Sequence, residues 1–127
     1  MGSFLNSLKV EDWQSNKWKL LAPLDYVTTI NGAHRQITVP EGFVTDLASI
    51  PRPLQAIIPK VAKHRRAAVL HDYLYAIRGN LPDVMLSRAQ CDGLFLEAME
   101  SAGVRFTRRW AMYLGVRSGG WVFWKQN

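Results

Sequence analysis

Cysteine occurs once, as Cys91, so no internal disulfide can staple this chain, and its fold must tolerate a reducing compartment. A lone thiol and the absence of any H-x-x-x-H pair leave no recognisable zinc site. Histidine is scarce as well. Besides His71 there are only His34 and His64, and His64 falls two turns before His71 on one predicted helix. That is not the ligand arrangement of an HD-type metal phosphohydrolase. No apolar run reaches the about 20 residues of a membrane span. The opening MGSFLNSLKVEDW lacks a basic start followed by an apolar core, so no signal peptide is expected. Repeats and low-complexity tracts are also missing, and residues 1–127 read as one domain with a modest core.

Positive charge is what the chain has in excess. The formal net charge is +6, and ten of the sixteen cations are arginines, grouped as KHRR at 63–66 and RFTRR at 105–109. Such a balance suits anionic partners: a phospholipid surface, a nucleic acid or an acidic protein face. It equally suits a solvated basic face. Nucleic acid rests on charge alone, because no recognition motif accompanies it.

The fold class expected is α+β. Residues 1–17 are mixed and read as a peripheral strand or arm. From Trp18 to Val39 the chain is β-rich, and Asn31-Gly32 between two such runs is a strong hairpin signal. PEGFVTDLASIPRPL follows, where Pro40, Pro51 and Pro53 forbid a long regular element, so an ordered Pro-rich loop is expected, with a short strand at Phe43–Thr45. Three helices come next. The first begins near Lys60, carries Ala67, Ala68, Leu70, His71, Leu74 and Tyr75 at spacings of three and four, and stops by Gly79-Asn80. The second opens on the capping box SRAQ at Ser87 and runs to about Ser101, with Gly103 as its stop. The third is RRWAMYLGVRS, with Thr107 as its expected cap, and the final WVFW should fold back onto the core.

The run VLHDYLY raises the functional question. His71 lies in the apolar stripe of the first helix. On the second helix Asp92 lies among Ala89, Phe95, Leu96 and Met99. An unpaired carboxylate there costs several kcal/mol, so Asp92 needs a partner or an opening to water. The short connector makes the helices antiparallel neighbours. Counting from their ends, His71 and Asp92 differ in level by roughly 3 Å. The two can therefore meet. An aspartate holding one imidazole nitrogen leaves the other as a general base, but the same bond can equally brace a core.

Four motifs in order, TDLASIPRPL, HDYLY, SRAQCDGLF and GVRSGG, resemble a family of unknown function found in tailed phages and prophages. The resemblance spans about residues 39 to 121. It implies a phage source, a place in the host cytoplasm or the virion, and other virion proteins as partners. HDYLY followed by Asp92 is also similar to the core of phospholipase A-2, above all the compact version in parvovirus capsid proteins. That likeness implies that His71 activates water, that Asp92 orients it, and that Tyr75 bonds Asp92. It implies Asp72 as a ligand of calcium, which would polarise the ester carbonyl. Such chemistry forms no acyl-enzyme, so the absence of a G-x-S-x-G elbow is no objection. One departure concerns the metal. Those enzymes have a glycine-rich calcium loop just upstream, whereas between Gly32 and His71 the only glycine is Gly42.

Asp46 has two readings: a turn residue bonding nearby backbone, or a further metal ligand at the mouth of the His71 site. Cys91 reads as a small core residue. Trp110, Trp121 and Trp124 near Arg108, Arg109 and Arg117 either close the core or form an interfacial patch for anionic lipid. Two classes follow: a small lipid-directed phage hydrolase, or a non-enzymatic tail or baseplate component in which the His–Asp pair braces the fold.

Overall fold

A computed structural model describes residues 2–13, 17–45 and 62–126. Among these residues, six strands precede four helices: β1 (Ser3–Phe4), β2 (Val10–Asp12), β3 (Trp18–Leu20), β4 (Leu24–Ile30), β5 (Ala33–Val39), β6 (Val44–Thr45), α1 (Ala62–Ala76), α2 (Arg88–Ser101), α3 (Phe106–Gly119) and α4 (Trp121–Gln126). The chain is α+β, as expected, but the β part is larger than one hairpin.

The hairpin forms where Asn31-Gly32 places it. Asn31 has φ 52° and Gly32 φ 82°, the pair of positive angles that a tight two-residue turn requires. Ile30 then faces Ala33, and the register runs to Leu24 opposite Val39. Alternation selects the inner face: Leu24, Tyr26, Thr28 and Ile30 of β4, and Ile37 and Val39 of β5, are buried. Of the two expectations for the N-terminal residues, the peripheral strand is the one observed, since β1 and β2 are edge strands. β1 pairs with β4, and Phe4 stacks on Tyr26 with centroids 4.7 Å apart. β2 pairs with β3, and β3 with β6, giving a second three-stranded sheet. Segments of two and three residues carry too little alternation to be read alone; their partners define them.

α1 ends before Gly79, whose φ of +71° reverses the chain. A Cβ there would lie 2.2 Å from the Leu86 carbonyl oxygen, so the approach itself excludes a side chain. α2 starts on the expected capping box: Gln90 N–H donates to Ser87 Oγ at 3.1 Å, and Ser87 N–H donates to Gln90 Oε1 at 3.0 Å. Ser87→Ala should therefore lower the unfolding free energy by about 1 kcal/mol in a urea titration. α3 departs from expectation at its start. Arg105 holds the cap position without a side-chain bond, and Thr107 lies inside the first turn. The chain turns helical at Phe106, two residues too early for the Thr107 hydroxyl to cap. WVFW does return to the core, but as the fourth helix, with Trp124 edge-on to Tyr75 at 5.2 Å.

α1 packs on α2, and α2 on α3. Leu70, Leu74 and Tyr75 meet Cys91, Phe95, Ala98 and Met99 in one buried cluster with the inner face of β4–β5. Burying each large apolar side chain contributes roughly 1.5–3 kcal/mol. Sheet and helices are also joined by polar contacts: Tyr26 OH and Thr28 Oγ1 both donate to Glu97 Oε1 of α2, at 2.5 and 2.6 Å.

Candidate functional site

The His71–Asp92 pair forms. His71 Nε2 lies 2.7 Å from Asp92 Oδ1, and Tyr75 OH donates to the same oxygen at 2.7 Å. Tyr75 also accepts from Arg88 Nη1 at 3.2 Å. Residues 71 and 75 thus meet 92 and 88, the reversed order of antiparallel helices. Both His71 and Asp92 are fully buried. With Asp92 ionised, its oxygen is the acceptor, so His71 donates to it from Nε2. The imidazole is held between two rings, Tyr75 at 4.3 Å and Phe95 at 4.6 Å between centroids.

The other carboxylate oxygen engages two residues that sequence reasoning did not place at this site. Arg117 Nη1 donates to Asp92 Oδ2 at 2.9 Å, and Arg88 Nη1 approaches it at 3.5 Å. Arg88 also donates to the carbonyls of Val116 and Arg117, each at 3.1 Å. Those carbonyls belong to the last turn of α3, where a cation is favoured, and the Val116 carbonyl also accepts from Gly120 N–H at 2.8 Å. Arg88 stands four residues before Asp92 on one helix face, a spacing that can be read in advance. Arg117 sits in the quoted GVRSGG, but no local pattern points it at Asp92. Gly120 completes the closure, because a Cβ there would lie 2.6 Å from Tyr75 OH.

Burial raises the Asp92 pKa, but hydrogen bonds from His71, Tyr75 and Arg117 and the charge of His71 outweigh it. The net position is below the usual carboxylate value. Burial, and then the bond to Asp92, push the Tyr75 hydroxyl upward, so it remains a donor. Burial and the Asp92 charge push the Cys91 thiol up to about 12, which removes it as a nucleophile near neutrality.

Asp72 is half-buried on α1 and accepts from Thr45 Oγ1 of β6 at 2.5 Å. Thr45 immediately precedes Asp46, which lies outside the described residues, as does the Pro-rich run after it. Calcium takes six to eight oxygens. Among the described residues no group of three or more His, Cys, Asp or Glu side chains could hold a metal ion. Asp72 and Thr45 alone do not make a calcium site. No helix among the described residues is long and apolar enough to cross a membrane.

No curated protein and no solved structure matches the chain. A family described as "Protein of unknown function (DUF1353)" matches residues 18–116, a span that includes His71, Asp72, Tyr75, Arg88 and Asp92. With most of its length matched and the buried His–Asp pair inside the match, the chain belongs to the DUF1353 family.

Proposed function

We propose that this chain is a small phage-encoded hydrolase of lipid esters in which His71 is the general base. The observation that carries the reading is the shared oxygen: His71 and Tyr75, four residues apart on α1, both bond Asp92 Oδ1 of the antiparallel α2. This is the pairing that the likeness of HDYLY and Asp92 to phospholipase A-2 implies. In the reaction, the His71 imidazole takes a proton from water as the oxygen attacks the ester carbonyl. Asp92 remains ionised and stabilises the imidazolium. The tetrahedral intermediate then expels the alcohol, which takes the proton back from His71, so one water and one ester yield one acid and one alcohol. Arg88 and Arg117 keep Asp92 an acceptor throughout. The test is fatty-acid release from phosphatidylglycerol vesicles, with calcium and with a chelator. Release that the chelator stops supports a metal ligand at Asp72. Release that survives it removes the metal from the reading, and no release in either arm overturns the reading.

A second reading has its own support in the complete burial of the pair and the grip of Arg88 on α3. In it the polar cluster fixes the helix packing of a non-enzymatic virion component. Mass spectrometry that finds the chain in purified particles, together with absent turnover, would favour this reading.

A further inference from the structure

Helix α3 carries an apolar stripe left open to water. Phe106, Trp110 and Leu114 recur every four residues and are 64%, 37% and 60% exposed. That spacing puts them on one face over two turns, a strip about 12 Å long. The packing of α3 is done elsewhere on its circumference, by the buried Met112 and Val116. The stripe is ordered by its own contacts: Phe106 and Trp110 have centroids 6.0 Å apart, Trp110 stands edge-on to Tyr113 at 5.4 Å, and the Arg109 guanidinium lies 5.3 Å from the Phe106 ring.

The segment that carries the stripe has charge of one sign. From Ser101 onward the chain has Arg105, Arg108, Arg109, Arg117 and Lys125, and no Asp or Glu. Arg117 is engaged by Asp92, and Arg109, which flanks Phe106, donates to Glu100 at 3.3 Å. Arg105 is exposed at the Phe106 end of the stripe, and Arg108 is exposed on another face of the first turn.

We propose that this face docks on an anionic lipid membrane. Phe106, Trp110 and Leu114 enter the boundary between headgroups and acyl chains, while Arg105 meets headgroup phosphates and Arg108 adds to the longer-range attraction of the segment. Charge complementarity selects this occupant. A second copy meeting the same face would set one cationic segment against another. A nucleic acid offers stacking partners to Trp110 and Phe106 but none to Leu114, whose aliphatic surface is buried only by an apolar medium. The inference deepens the lipid-hydrolase reading and rests on it for its biological sense, but docking needs no turnover and is measured without it.

The experiment is flotation of the full chain with vesicles of non-hydrolysable diether phosphatidylglycerol, and separately of diether phosphatidylcholine. Binding is expected to the first and not to the second, weakening as salt is raised. Phe106→Ser with Leu114→Ser should lower partitioning at least about tenfold. Arg105→Glu with Arg108→Glu, which touches no apolar contact, should also lower it and serves if the first variant does not fold. Failure of the wild type to float with phosphatidylglycerol overturns the proposal. So does undiminished binding by folded variants, or binding of single-stranded DNA or self-association through these residues in place of vesicles. Loss of flotation with retained cleavage of a water-soluble short-chain ester removes the docking face alone. Flotation without any ester cleavage removes the hydrolase reading alone.

Discussion

Asp92→Asn is expected to lower the unfolding free energy by about 3–5 kcal/mol, measured by urea denaturation at neutral pH. The carboxylate is fully buried and accepts from His71, Tyr75 and Arg117, with Arg88 close by. An amide keeps the shape but not the charge. One of its two heteroatoms becomes a donor facing donors, and two guanidiniums lose their counter-charge. Folding lowers the Asp92 pKa, so its contribution to stability is fully present above the unfolded value of about 3.9. That contribution is lost as the pH falls from there through the lower folded value. The gap between wild type and Asp92→Asn should thus narrow in acid. A gap of the same size at neutral pH and in strong acid would show that the charge was not what stabilised the fold.

His71→Gln should reduce ester turnover ~10²-fold or more while costing the fold only ~1–2 kcal/mol. Glutamine can still donate to Asp92 Oδ1, but its amide cannot take a proton from water. It also gives up the ring contacts with Tyr75 and Phe95, which accounts for the modest loss of stability. Steady-state rates and melting temperatures measured on one preparation check both halves. If the melting temperature falls and the wild type itself has no turnover to lose, His71 is a brace.

The parts of this structure that were legible in the sequence depend on short spacings. Asn31-Gly32, Ser87 with Gln90, and the stops at Gly79 and Gly103 each state their geometry within four residues. His71 and Asp92 were legible because each is a polar residue out of place in an apolar helical stripe, and a short connector fixes how the stripes face. Strands β1 and β2 were not, since two or three residues have no readable period and are defined by β4 and β3. Thr107 misled because residue preference for the cap position does not by itself fix where a helix begins, and α3 begins at Phe106 after an Arg105 that makes no side-chain cap. Arg117 was invisible as a partner because its target is 25 positions away and the contact exists only after α3 has docked.

The route of Arg117 to Asp92 has a kinetic consequence. Hairpin β4–β5 and the α1–α2 pair are sequence-local and can assemble early, but the carboxylate stays hydrated until α3 brings its guanidinium. Dehydration of the second Asp92 oxygen is then among the last events of folding, so its bond to Arg117 is absent from the transition state. Mutations at Arg117 should accelerate unfolding while leaving the refolding rate nearly unchanged, a low φ-value at that position, whereas Asp92, bonded to α1 as well, should give a higher one. The polar cluster would then act as a latch on a fold already formed, setting how long the native state persists and not how fast it is reached.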